Sequence, residues 1–308
     1  VKTGITAVVV RRCLHAIAVL LGVSVATFAV AHATGDPATL LLSASASEAA
    51  RTQMRVHLGL DQPLIVQYWL FLRHALHGDF GNSFIYRQPV AALVLQRLPA
   101  TLVLAGSSFV IALAISIPLG VAAAAQGRWA GWLLQLFSML GLAIPSFWLG
   151  LMLVLIVSVS LRLLPVDGYG GLAHLVLPAL TLSLQSIARL GRLVASGMRE
   201  ALRADYIRTA RAKGLLERRV IWVHALRNVL VPVVTMAGLE LGDLISSAVV
   251  VEVVFAWPGI GRLAVMALGQ RDFPLLQGTV FIAGMGFVAI NFLADMLCAR
   301  IDPRIRFA

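Results

Sequence analysis

Three carboxylates, Glu240, Asp243 and Glu252, lie in or beside an apolar run near Val229–Phe255. An acid at the centre of a bilayer costs about 2.5–3.5 kcal/mol on an insertion scale, so each needs a partner or a purpose. On a continuous helix Glu240 and Asp243 stand about 60° apart, while Glu252 faces about 180° from Asp243, which predicts two separate roles. Glu240 and Asp243 either line a translocation path that favours a cationic group or form an ion pair with Arg189 or Arg192. Those two arginines lie on another apolar run, at a depth within a helical turn or so of the acids. A proton or sodium site in an ion-coupled carrier would use the same two carboxylates. Glu252 is expected to be paired for structural reasons at the external end of its span, where Pro258 and Gly259 follow it.

Catalytic chemistry is poorly supplied. A nucleotide-binding P-loop ends in Gly-Lys before Ser or Thr, and the two lysines, Lys2 and Lys213, lie in other contexts. The H-E-x-x-H and G-x-S-x-G signatures are missing. Gly259-Ile-Gly261-Arg-Leu-Ala264 imitates a dinucleotide fingerprint but follows Pro258 without a βαβ unit. His74 and His77 have metal-compatible spacing without a carboxylate at matching helical positions, and read as surface histidines. Cys13 and Cys298 are expected near one membrane face as free thiols. The chain is read as no enzyme, with no catalytic, cofactor-binding or metal site of its own.

The elements that must hold these charges are membrane helices. Apolar residues make up 59% of the chain and charged ones only 13%, far from the soluble average. The net charge of +11 sits at the ends of apolar runs, which suits membrane orientation rather than nucleic-acid binding. Six runs reach the roughly 20 residues that a span needs: Cys13–Ala33, Ala100–Ala124, Leu133–Val159, Val176–Ser196, Val229–Phe255 and Gln277–Cys298. Pro145 predicts a kink in the third. The fourth is the weakest, interrupted by Gln185, Arg189 and Arg192. Arg11-Arg12, an apolar run and Ala31-His32-Ala33 imitate a signal peptide, but the run exceeds an ordinary h-region and is read as the first span.

Lys and Arg set the orientation. With both termini cytosolic, the inside set holds Lys2, Arg11, Arg12, Arg128, the Arg189–Arg227 cluster, Arg300, Arg304 and Arg306, the majority of the 25 basic residues. Residues 1–33 then form the cytosolic N-terminus and first span, 34–99 an extracytoplasmic helical region, and 100–308 a five-span core. In the external region Ser45-Ala-Ser-Glu48 reads as a capping box with Gly59 as helix stop. Asp61 is expected to cap a second helix that carries Pro63 in its first turn and ends near Gly78. Its apolar face, with Tyr68 and Trp69, suits a helix at the membrane interface. This region is either a packed cap or a surface that helps to receive a binding protein.

Arg189, Arg192, Ser196, Arg199 and Arg203 share a sector of about 80° and run about 21 Å along one helix face, which predicts a helix projecting beyond the bilayer. The basic stretch Asp205–Asn228 follows. Helix is expected over Arg199–Ala212 and again over Glu217–Asn228, with a reversal at Gly214. A short helix lying across the cytosolic face can fit a cleft on a partner and transmit its movement.

The stretch DYIRTARAKGL followed by HALRN resembles the EAA loop of ABC importer permeases, in the form used by the peptide/nickel branch. Only Ala210, Gly214 and Leu226 match the general loop pattern. Leu58-Gly-Leu-Asp-Gln-Pro63, Gly78-Asp-Phe-Gly81, Arg97-Leu-Pro99, Val251-Glu-Val-Val-Phe255, Trp257-Pro-Gly-Ile-Gly261 and Asp302-Pro-Arg304 are similar to further blocks of that family, in order along the chain. The resemblance, to its dipeptide/oligopeptide B-type half, implies a type I permease fold, all-α, with six transmembrane helices. It further implies an ATP-driven importer of the bacterial inner membrane. Half of the pore comes from this chain, and the partners are a second homologous permease, two ABC ATPases that bind ATP and Mg, and an extracytoplasmic binding protein. Arg208, Thr209, Ala210, Arg211, Lys213, Gly214, Leu215 and Leu226 would then form the ATPase-coupling loop. Peptides are the implied cargo; nickel, haem and glutathione are the family's alternatives.

Overall fold

A computed structural model describes residues 2–33, 42, 47–57, 59–125 and 127–301. These residues form helices and the turns joining them, with one isolated bridge between Asn82 and Pro89. The helices before the central break are α1 (Lys2–Ala33), α2 (Glu48–His57), α3 (Leu64–Leu76), α4 (Val90–Ala125) and α5 (Arg128–Ala143). They continue as α6 (Ser146–Leu153, extended by a π-helical Val154–Ser160), α7 (Leu172–Ala201), α8 (Asp205–Ala212) and α9 (Glu217–Arg219). A π-helical Val220–Ala225 leads into α10 (Leu226–Val254), followed by α11 (Ile260–Gly269) and α12 (Phe273–Ile301). The chain divides into two compact units, Val1–Ala100 with Pro258–Val288, and Thr101–Trp257 with Ala289–Ala308.

In the first unit, Val90 and Val94 of α4 pack with Ile260, Leu263, Leu275 and neighbouring apolar side chains. The α2 helix is capped by Ser47, whose Oγ accepts from Ala50 N at 3.3 Å; Ser45 lies outside the described residues. It stops at Gly59, which takes φ +67° while Leu60 N donates to Arg55 O at 2.8 Å. The expected Asp61 cap is not formed. Pro63 itself occupies the cap position of α3 with extended backbone, and no side chain caps that helix, so Asp61 lies two residues too far upstream. Tyr68 turns inward, its hydroxyl 2.7 Å from Ser24 Oγ on α1, whereas Trp69 is exposed.

Asp272, at the start of α12, is buried and holds the loop before α4. Its Oδ2 accepts from Ser83 Oγ at 2.5 Å and from Ile85 N at 3.1 Å, and its Oδ1 accepts from Leu275 N at 3.2 Å. Asp272→Ala would strand these donors at about 1–3 kcal/mol for each that stays unsatisfied. The expected result is a lower thermal midpoint of the purified protein and faster proteolysis between residues 79 and 89. An unchanged midpoint would show that the loop is held by other means.

In the second unit α7 is the central helix, packed by α5, α6 and α10. Ala188, Leu190, Val194, Ala195 and Met198 are fully enclosed. A Cβ on Gly141 would lie 2.8 Å from Ala188 Cβ, and one on Gly120 2.8 Å from the Gly191 carbonyl oxygen, so both neighbours approach α7 at backbone distance. This position accounts for the weak hydropathy of the fourth expected span. A helix sheathed by other helices need not match lipid, and it can carry Gln185 and Arg189.

Among the described residues, four helices are long and apolar enough to cross a membrane: α4, α7, the continuous run Glu217–Val254, and α12 from Phe273 to Leu293. The described apolar part of α1, Leu14–Val30, is shorter. The third expected span, Leu133–Val159, is no single kinked helix: α5 and α6 meet at 110°. Ile144 adopts φ −94° and ψ 121°, the extended conformation that a following proline imposes, and Pro145 starts the next helix in a new direction. The expected helix Arg199–Ala212 is likewise interrupted, because α7 ends at Ala201 and α8 begins only at Asp205.

Candidate functional site

The acids and arginines of the apolar runs meet in the second unit, between α7 and α10. Glu240 is 1% exposed. Arg189 grips it with two bonds, Nε donating to Oε1 at 2.5 Å and Nη2 to Oε2 at 2.7 Å, and Ser186 Oγ donates to Oε2 at 2.6 Å. Asp243, with its side chain 64% exposed, stands at the edge of this cluster, its Oδ2 3.7 Å from Arg189 Nη2. Arg192 is exposed and makes no ion pair among the described residues. Gly242, between the two acids, packs on Asn291 of α12, whose Oδ1 lies 2.6 Å from where a Cβ would be. The fork-on-carboxylate geometry gives Glu240 a complete set of donors, so burial is tolerable. It leaves Asp243 as the carboxylate of this cluster open to a cation.

The hairpin lies at the far end of the same two helices. Ile207 and Ala210 are the buried residues of α8, packed with Val194 and Met198 of α7, with Val220 of the π-helical segment, and with Leu226 and Val229 at the start of α10. Between and just beyond these two α8 residues, Arg208, Thr209, Arg211 and Lys213 are exposed and face outward. Gly214 has φ +75°, the left-handed conformation that lets the chain reverse, while Leu215 N bonds back to Ala210 O at 3.4 Å. Arg211 and Glu217 clamp the reversal through bonds of 2.6 and 3.1 Å. The Glu217 hydrogen bond holds the Arg211 guanidinium above its ordinary pKa. Leu226 is buried in the apolar seat, whereas Leu215 packs at its edge.

At the other end of α10, Glu252 is fully buried and accepts from Thr101 Oγ1 at 2.6 Å. Trp257 N returns to the Glu252 carbonyl at 2.8 Å, and the Trp257 ring stacks edge-on against Tyr169 at 4.8 Å. Ala256, at φ +49°, takes the left-handed turn there. Gly259 is extended, at φ −94°, and precedes α11. Ser186, Thr101 and Ile207 were not singled out in the sequence. The only signal for Ser186 was its place one turn before Arg189 on the same helix face.

The central bundle, the buried ion pair between its helices and the basic hairpin at their ends define a polytopic membrane protein of the transport-permease class. The family model for the binding-protein-dependent transport system inner membrane component matches residues 116–307, and the model for the N-terminal part of that membrane component matches residues 5–105. The chain belongs to this family and is a permease subunit of ABC importer type. The oligopeptide transport system permease protein AppB of Bacillus subtilis is 41% identical over 98% of this chain and 99% of its own length. The glutathione transport system permease protein GsiC of Salmonella typhimurium is 41% identical over 97% and 98%. A chain of the inward-facing MetNI methionine ABC transporter aligns at a TM-score of 0.55 and 17% identity, covering 68% of this chain and 96% of that one. A chain of an amino acid ABC transporter gives 0.53 at 13% identity. These two alignments establish the type I importer permease fold.

Proposed function

We propose that this permease forms half of the translocation pore of an ATP-driven importer for peptides. The observation that carries the reading is end-to-end similarity, at about two residues in five, to permeases named for oligopeptides and for glutathione, itself a tripeptide. In this reading a second homologous permease completes the pore, and an extracytoplasmic binding protein delivers the cargo. Two ATPase subunits bind ATP and Mg, and this chain hydrolyses nothing. Both termini and the hairpin face the cytosol of a bacterial inner membrane. The outward residues Arg208, Thr209, Arg211 and Lys213 meet the ATPase, and the buried pair Ile207 and Ala210 passes its movement to α7 and α10. Glu252, with Pro258 and Gly259 beyond it, belongs to the structural external end.

Affinity purification of the tagged chain in mild detergent, followed by mass spectrometry and uptake in vesicles, tests this reading. Recovery of a second permease with ATPase subunits, and ATP-dependent uptake of labelled di- and oligopeptides, is the expected result. Recovery of this chain alone, still transporting without ATP, would overturn it in favour of an ion-driven carrier. ATP-driven uptake of nickel or haem with no peptide uptake would overturn the substrate class alone.

A further inference from the structure

A cleft of about 650 Å³ opens between the end of α4, the outer face of α5 and the hairpin-side half of α7. Arg192 and Arg199 line one side of it. They stand seven residues apart on one helix face, about 10 Å along the axis. Both are exposed, and neither forms an ion pair among the described residues. Ser138 also lines the cleft; it is 7% exposed and its hydroxyl has no hydrogen-bond partner among the described residues. Apart from Gln135 the remaining wall is apolar, and Met139 and Leu142 are 63% and 58% exposed. Trp129 and Trp132, at the first turns of α5, are exposed at 82% and 56%.

We propose that this cleft seats the headgroup of an anionic phospholipid from the leaflet on the hairpin side, with acyl chains along Leu134, Met139 and Leu142. Three features select lipid over a water-soluble anion. The cations sit at one end of a long apolar wall, as a phosphate sits above its acyl chains. Exposed tryptophans mark the level where headgroups meet hydrocarbon. Basic pockets between spans are a known fit to lipid headgroups, and arginines near a membrane surface attract anionic lipid strongly. The phosphate would accept from both guanidinium groups, and the Ser138 hydroxyl would gain the acceptor it lacks. The site is independent of which solute the importer carries.

The test is lipid retention by the complex purified in detergent. Wild type should carry phosphatidylglycerol or cardiolipin through purification, and R192Q/R199Q about tenfold less. R192K/R199K, which keeps the charge, should retain most of it. In wild-type complex, a photoactivatable phosphatidylglycerol should label residues 131–143, and its phosphatidylcholine counterpart should not. That labelling decides the question should the double variant fail to assemble. Equal retention by R192Q/R199Q overturns the proposal. So does labelling abolished by inorganic phosphate, which would make the site one for a free anion. Crosslinks from Met139 to another protein chain would equally overturn it, by making the cleft a subunit interface.

Discussion

Replacing Arg189 with glutamine is expected to destabilise the folded subunit by about 3–5 kcal/mol, the largest loss any single substitution in the cluster should cause. The loss arises because Glu240 remains. Its carboxylate is 1% exposed, and the two Arg189 bonds supply most of its donors. Ser186 can offer only one more. The companion variant R189Q/E240Q removes both charges and leaves two neutral amides of similar size, so most of the stability should return. The measurement is the thermal midpoint of the detergent-purified complex for wild type, each single variant and the pair. A double variant as weak as Arg189→Gln would show that the arginine is needed for something other than Glu240. Asp243→Asn is the contrast within the same cluster. Its side chain is 64% exposed and 3.7 Å from the guanidinium, so stability should change by no more than about 1 kcal/mol and the midpoint should shift little. An altered preference among peptides of different charge would then identify Asp243 as part of the path; unaltered uptake and selectivity would remove it from the path.

The long apolar helices were legible because composition alone marks them, and the acids stood out because charge is rare there. Which arginine would meet Glu240 was not legible. Arg189 and Arg192 differ by about 60° in helical phase, and only the packed bundle shows that α7 turns Arg189 and Ser186 towards Glu240 and leaves Arg192 exposed. Ser186 and Thr101 were missed since a hydroxyl in an apolar run usually bonds its own helix carbonyl. Pro145 announced the place of the break but not its size, which is set by how both halves pack on the central helix. The interruption after Ala201 has no local signal, as Arg199–Ala212 is helix-prone throughout. The chain turns there so that Ile207 and Ala210 can return to the apolar seat formed by Val194, Met198 and Val229. That is a tertiary demand, invisible to propensity.

Ile207→Ala should uncouple the importer while leaving it assembled. The α8 helix has only eight residues, too few to hold its shape alone in water, where about 12–15 are already marginal. Its position therefore depends on what it buries, and Ile207 is the largest of those side chains, at 0% exposure. Truncation to alanine leaves a cavity worth about 2–5 kcal/mol. Because the hairpin is a local element, that loss falls on its docking to α7 and α10 more than on the bundle. Arg208, Arg211 and Lys213 still point outward, so an ATPase that reads them should still bind. What is lost is the rigid connection from that surface to the helices carrying Arg189 and Glu240. Uptake should fall about tenfold or more, since each 1.4 kcal/mol of undocking is a factor of ten, while ATP hydrolysis by the complex continues. The informative quantity is peptide carried per ATP hydrolysed in proteoliposomes, with Val110→Ala, at a 64% exposed position outside the hairpin, as the control that should behave as wild type. Loss of hydrolysis together with uptake would mean that Ile207 shapes the docking surface itself. An unchanged ratio at full uptake would mean that movement reaches the pore by a route other than this buried contact.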